Sequence, residues 1–235
     1  THSNVTDDTD AIELVQANID LRLPVGNGLD LKVGQMGTVV GYEVYDYTGN
    51  AFFQRGLGFS VEPTHHTGVL ASYQLNDDLA ISLGAVNDTT SAVTNNSADD
   101  GSSAFLTTLS YTVGDGAGML SGTSLYYGGV HGAGAGVDTH YAQIGLPVPV
   151  EGLSVDVAAD WVSGASDADD EIYQIYAAYT LSDKATLNAR YEFGTIDGAA
   201  GTTARTGLES VAVGVTYDLW DNVISRVEYM STSAD

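Results

Sequence analysis

The chain has no cysteine, few basic residues, little proline and no long apolar run, and each shortage removes a class of protein. Without Cys among its 235 residues, disulfides and thiolate metal sites are excluded. Seven Lys and Arg stand against 31 Asp and Glu, a formal net charge of −24. The positive charge that phosphate neutralisation requires is missing, so nucleic acid is not an expected partner. No stretch approaches the roughly 18 consecutive apolar residues of a spanning helix. Charged residues are only 16% of the chain and hydrophobic ones 43%, which is too apolar for a disordered acidic tail. What is abundant is Gly at 28 and Tyr at 14, with Pro at only four. That mixture favours many strands joined by tight turns.

The missing helix leaves one other route through a bilayer, because a closed barrel also satisfies its backbone internally. Its signature is alternation over about ten residues, bounded by turn signals. Residues 11–25 show it: Val15, Ala17, Ile19, Leu21, Leu23 and Val25 fall on one face, and Gln16, Asn18, Asp20 and Arg22 on the other. After Gly26-Asn27-Gly28, Leu29, Leu31 and Val33 alternate with Asp30 and Lys32, which predicts a hairpin. With 11–25 and 29–44, further strands are predicted at 67–75, 79–87, 104–113, 119–130, 140–150, 153–162, 172–181, 185–193, 208–219 and 223–230. Short turns alternate with longer connections rich in Gly, Asp, Ser and Thr. The expected fold is all-β, an antiparallel up-and-down transmembrane β-barrel with about 12 strands in this chain.

Charge placement supports that choice over a soluble β-sandwich. The basic residues Arg22, Lys32, Arg190 and Arg226 sit at the parity opposite to the apolar row, and so do Asp20, Asp30, Asp156, Asp160, Glu192, Asp218 and Glu228. A basic side chain on a lipid face costs about 2–4 kcal/mol near the midplane, so one face must stay free of charge. A sandwich would carry more Lys and Glu on its outer faces. Tyr73, Tyr111, Tyr179, Tyr217 and Trp220 lie near short turns, and Trp161, Tyr191, Phe193 and Tyr229 toward the opposite strand ends. Two such rows suit interfacial girdles. Parity also bears on completeness: the first and last turns are both short, which would put both ends of the chain on the outer side. The expectation is one domain over 1–235 with strands missing at both ends, and an intact barrel of 14 or 16 strands.

The segment 33–75 and the hairpin 22–34 carry a specific resemblance. "VGNGLDLKVG", Gly41-Tyr42-Glu43, then Asn50, Phe52 and Arg55, then Glu62-Pro63 followed by His66-Thr67-Gly68 in "EPTHHTGVLASY", are similar to motifs of the OmpL-like β-barrel porin family of Gram-negative bacteria. "YDLWDNVISRVEY" at 217–229 resembles that family's penultimate hairpin. "TVVG" at 38–41 and His65 depart from its usual pattern. Close motif matching covers about a quarter of the chain. The resemblance implies an outer-membrane porin that passes ions and small hydrophilic solutes through a water-filled lumen.

Two groups of residues are candidates for function. The connection from Tyr45 to His65 is the longest, and long connections in compact domains are usually functional. It is expected to fold inward and narrow the pore, with Glu43, Asp46, Arg55 and Glu62 near the constriction; an extracellular flap on the rim is the competing reading. The eleven inward-parity charges named above are the expected pore lining, seven acids against four bases, and predict a mild preference for cations. They also suit a structural ladder in which Asp20 pairs with Arg22, Asp30 with Lys32, Arg190 with Glu192 and Arg226 with Glu228. His65 and His66 point to opposite faces and His131 and His140 read as separate, so no metal site is expected. No catalytic residues and no cofactor are expected, and no enzyme activity. The expected partners are outer-membrane lipid and small hydrophilic solutes and ions, with a homo-oligomer such as a trimer, or partner chains, left open. A plugged, non-conducting barrel acting as adhesin, receptor or scaffold is the alternative.

Overall fold

A computed structural model of the chain describes residues 15–89, 103–132, 137–164, 169–197 and 205–234. Twelve strands run through it: β1 (Ala17–Leu23), β2 (Leu29–Gly37), β3 (His65–Gln74), β4 (Leu79–Val86), β5 (Ala104–Thr112), β6 (Ser124–Gly132), β7 (Asp138–Leu146), β8 (Leu153–Ser163), β9 (Asp169–Ser182), β10 (Ala185–Asp197), β11 (Arg205–Trp220) and β12 (Val223–Ala234). They form one sheet in sequence order, each strand antiparallel to the next. Among the described residues, β1 and β12 are its two edges. All twelve predicted strands are present; the predicted start at residues 11–14 lies outside the described residues.

The boundaries that differ have local causes. The strand predicted over 29–44 stops at Gly37, beyond which the chain leaves the sheet and turns through a left-handed Gly41 at a φ of 97°. The strand predicted from 119 begins at Ser124, because Gly118–Leu120 coil into a 3-10 turn, as Tyr47–Gly49 also do. The strand predicted over 140–150 ends at Leu146, where Pro147 and Pro149 lack the N–H a ladder needs. One helical turn, α1 (Leu57–Val61), lies in the long connection between β2 and β3.

Burial is inverted relative to a soluble protein. On β10 the polar row Asn188, Arg190 and Glu192 is 5%, 1% and 0% exposed, while the alternating Leu187, Tyr191 and Phe193 stand 37%, 36% and 39% exposed. Ile19, Val33, Val69, Leu83, Leu109, Val157, Ile175, Val213 and Val227 continue the exposed apolar row around the sheet. Water would not tolerate so continuous an apolar surface, and a bilayer requires it. Ile175 lies mid-strand on β9 between Val157 of β8 and Tyr191 of β10. Ile175→Arg is expected to cost about 2–4 kcal/mol of folding free energy in lipid vesicles, read by urea titration. No loss would remove the lipid-facing assignment of this row.

The strands end in two rims. Connections 24–28, 75–78, 147–152, 183–184 and 221–222 are short and lie on one side, joined there by 113–123. The opposite side carries the longest connection, residues 38–64, which determines what the polar face can do.

Candidate functional site

Residues 38–64 fold back over the polar face of the sheet. The segment is anchored first by apolar contact: Val39 and Val40 pack with Val86, Ala104, Leu106, Val130, Tyr141 and Ala158, all turned to the polar side. Burying such a cluster contributes roughly 25 cal/mol per Å² of apolar surface, enough to hold a loop lacking ladder bonds of its own. Tyr126 Oη donates to the Val39 carbonyl at 2.6 Å. A Cβ at Gly128 would sit 2.1 Å from that same oxygen, so the close approach requires glycine. The two ends of the segment meet where Thr38 N–H donates to the Thr64 carbonyl at 3.1 Å.

The middle of the loop is held by its own side chains. Asp46 caps the turn at Tyr47–Gly49, accepting from Thr48 N–H at 2.9 Å, and that bond holds its carboxyl below the usual range. Asn50 accepts from Val44 N–H at 2.8 Å and donates to the Val44 and Asp46 carbonyls. The Arg55 guanidinium lies over the Tyr47 and Phe59 rings, 4.3 and 4.4 Å from their centroids, and donates to the Tyr45 carbonyl.

The far side of the loop is gripped by charged wall residues. Arg190 pairs with Glu43 and, through Nε, with Glu192 at 3.0 Å, and it also donates to the Gln54 carbonyl. Glu43 accepts from Gly56 N–H at 2.8 Å, and Glu192 accepts from Gly58 N–H at 3.3 Å. Glu228 takes both Phe53 and Gln54 N–H groups, one on each carboxylate oxygen, at 2.7 and 2.9 Å. Arg226 donates to the Tyr47 and Thr48 carbonyls. Tyr42 stacks on Tyr176 with ring centroids 3.7 Å apart and donates to Asp156 at 3.1 Å. Burial and the Asp156 charge push the Tyr42 phenol well above its ordinary range.

Glu62 completes the site from the loop's end. Its carboxyl meets that of Asp160, which also accepts from Gln174. Burial first, then the Asp160 charge, hold Glu62 well above the usual carboxylate range. Two carboxyls brought together in a buried place disfavour each other's charge, so the pair favours holding a proton. Glu43, Glu62, Asp160 and Glu192 are thus four buried acids around one buried arginine.

All eleven charges assigned to the pore lining lie on the polar row of their strands. The loop draws together Asp156, Asp160, Arg190, Glu192, Arg226 and Glu228. Asp20, Arg22, Asp30 and Lys32 stay away from it, as does Asp218 beside the short turn at 221–222. The expected pairing is corrected in three of four cases. Arg22 pairs with Asp30 at 2.9 Å and Lys32 with Asp20 at 2.6 Å, both across the hairpin. Residues directly opposite bring their Cβ atoms to about 4.5–5.5 Å, closer than i, i+2 neighbours on one strand. Arg226 and Glu228 bind loop backbone instead of each other, and only Arg190 with Glu192 pairs along its strand.

Of the four loop residues, Glu43 and Glu62 reach the wall, whereas Asp46 and Arg55 hold the loop's own shape. Tyr42, Tyr126, Gln174 and Tyr176 belong to the site without having been singled out; for Tyr126, Gln174 and Tyr176 their even-numbered positions in the polar rows of β6 and β9 were the available signal, whereas Tyr42 lies in the loop, which has no period. His131 and His140 are not separate: the register of β6 and β7 brings their rings within 5.2 Å on the apolar face.

The family model described as "Putative beta-barrel porin-2, OmpL-like" matches residues 2–235. A comparison with curated proteins gives no sequence match. Among solved structures, the chain is similar to a loop L8 deletion mutant of OmpT, an outer-membrane protein of Vibrio cholerae. That likeness has a TM-score of 0.64 at 17% identity and covers 93% of this chain and 74% of that one. Pseudomonas aeruginosa OpdQ is similar with a TM-score of 0.57 at 12% identity, covering 92% and 64% of the two chains. A trimer form of Vibrio cholerae OmpT gives 0.58 at 16% identity, with 88% and 67% covered. At these identities the likeness establishes an outer-membrane β-barrel fold.

Proposed function

The chain belongs to the OmpL-like β-barrel porin family of the bacterial outer membrane, and from that premise we propose that it is a passive-diffusion pore, mildly cation-preferring, narrowed by the loop 38–64. One observation carries the reading: the polar face divides into a part covered by the loop and a part open to water. At β8 to β10, Asp160, Arg190 and Glu192 are buried under the loop. At β1 and β2, the side chains of Arg22, Asp30, Lys32 and Asp20 are 64%, 52%, 37% and 67% exposed on the same face. A constriction with a water-filled path beside it fits this division better than a plug.

The charge balance supports cations. The wall carries seven acids against four bases, and the loop adds Glu43, Asp46 and Glu62 against Arg55. Side chains of one sign around a narrow passage favour the opposite ion. Nothing in the reading calls for bond-making chemistry. Closure of the barrel is proposed at 14 or 16 strands, since among the described residues β1 and β12 each present a ladder edge that hydrocarbon does not solvate. The further strands would come from this protein or from partner chains, and a trimer is the proposed assembly.

Single-channel recording of the full-length protein in a planar bilayer under a KCl gradient tests this. The expected result is open steps with a reversal potential on the cation side. An anion-side potential would overturn the selectivity. Correctly inserted protein without steps would overturn the pore, in favour of a plugged receptor or scaffold barrel.

A further inference from the structure

We propose that the cavity between the loop and the strand wall is a binding site for a small organic cation, an ammonium or guanidinium group on an apolar body. The proposal rests on the cation-preferring pore and names the class of solute its narrow part would hold. The cavity has a volume of about 450 Å³. Its acids are Glu43, Asp46 and Glu62, its aromatics Tyr45, Phe59 and Tyr126, and among the described residues no Lys or Arg lines it.

Acidity alone would not make a site; the second observation is the state of Glu62. It is 8% exposed, and its Oε1 accepts no hydrogen bond from any N–H or hydroxyl among the described residues. Oδ1 of the adjoining Asp160 is in the same condition. The other two lining acids are engaged: Glu43 between Arg190 and Gly56 N–H, Asp46 on Thr48. Two buried carboxyls facing each other, with no N–H or hydroxyl donor on these oxygens, need a positive group between them, either a proton or a cation. Glu62 is therefore the acid with capacity to bind.

The occupant's class follows from the rest of the lining. Among the described residues, no three His, Cys, Asp or Glu side chains are arranged to hold a metal ion. Three aromatic rings beside a carboxylate instead suit an organic cation, which gains cation–π attraction and buries its apolar body. The volume lies in the usual range for small-molecule sites, roughly 300–1,000 Å³.

Binding should also be linked to protons. The groups facing Glu62 are Asp160 on β8, Glu192 and Arg190 on β10, Glu43 in the loop, Tyr141 on β7 and Tyr176 on β9. With no cation present, the Glu62–Asp160 pair keeps a proton; a bound cation takes over its role and releases it. The cation thus prefers the deprotonated pair, and affinity must rise as pH rises.

The test uses the full-length protein in a planar bilayer in KCl, with agmatine, a guanidinium and an amine joined by four methylenes, as the probe. Agmatine is expected to interrupt the open current, with a half-blocking concentration that falls between about pH 5 and about pH 8. In Glu62→Gln, normalised to its own open current, that concentration should rise at least about tenfold and lose its pH dependence. Uncharged 1,4-butanediol should not interrupt. If the variant fails to show the unheated gel mobility of a folded barrel, the pH dependence of wild-type block carries the test. KCl steps without agmatine block, or block indifferent to pH and to Glu62→Gln, overturn the site and leave the pore standing. Absence of KCl steps from inserted protein overturns both.

Discussion

Replacing Arg190 with alanine is expected to destabilise the folded protein by about 3–5 kcal/mol, more than any other single charge removal on the polar face. The side chain is fully buried, and its partners Glu43 and Glu192 are 4% and 0% exposed. Once the guanidinium is gone, both carboxylates stay behind in a pocket that already holds Glu62 and Asp160. The penalty is mainly that of uncompensated buried charge, since the lost Coulomb energy of a buried pair nearly balances its own desolvation. Packing over Phe52, whose ring lies 5.1 Å from the guanidinium carbon, is lost as well. The triple variant Arg190→Met, Glu43→Gln and Glu192→Gln should recover most of the stability, because neutral side chains of similar size need no counter-charge. The exposed pair Arg22–Asp30 is the internal contrast, and Arg22→Ala should cost at most about 1 kcal/mol. Urea titration in lipid vesicles reads all three. An Arg190→Ala protein within about 1 kcal/mol of wild type would mean that this pair does not clamp the loop.

The sheet was legible because a strand's period is two and a membrane tolerates no exception to it. Arg22, Lys32, Arg190 and Arg226 could be assigned to one face from parity alone, and each lies on the polar row. Strand ends were less legible inside an apolar run, as beyond Gly37, where the chain leaves the sheet before Val39 and Val40 with no change in the pattern. Pro147 and Pro149 were a readable stop that the apolar residues around them outweighed. The cross-hairpin pairs follow from the turn's centre: a turn centred on Gly26 sets Asp20 opposite Lys32 and Arg22 opposite Asp30.

The site was legible only in part, because the loop has no period. Nothing in the sequence separates Glu43, which reaches a strand 147 residues away, from Asp46, which turns back on Thr48. Arg55 has the charge of a constriction residue, yet Tyr47 and Phe59 hold it within the loop. Gln174 and Tyr176 were hidden for another reason. A neutral side chain on the polar row carries no mark, and its role appears only when Asp160 or Tyr42 arrives beside it.

Excising the loop should have the largest effect on conduction. Replacing residues 44–61 with a short Gly-Ser linker is expected to raise single-channel conductance at least about twofold, because current through a narrow pore follows its open cross-section. The strands should tolerate the change. Register between β2 and β3 runs unbroken from Leu29 opposite Tyr73 to Gly37 opposite His65, and Thr38 bonds Thr64 just beyond, so the cut lies outside the ladder. The wall charges then meet water instead of loop backbone. Arg190, Glu192, Arg226 and Glu228 would be hydrated, and a hydrated charge needs no partner. Excision should therefore cost less stability than Arg190→Ala, although it removes far more contacts. That ordering is specific to a loop held across a water-filled lumen; a loop forming part of a dry core would cost more when removed whole. Cation preference should persist, since all seven wall acids remain. Unchanged conductance in the excised protein would show that the loop does not narrow the passage.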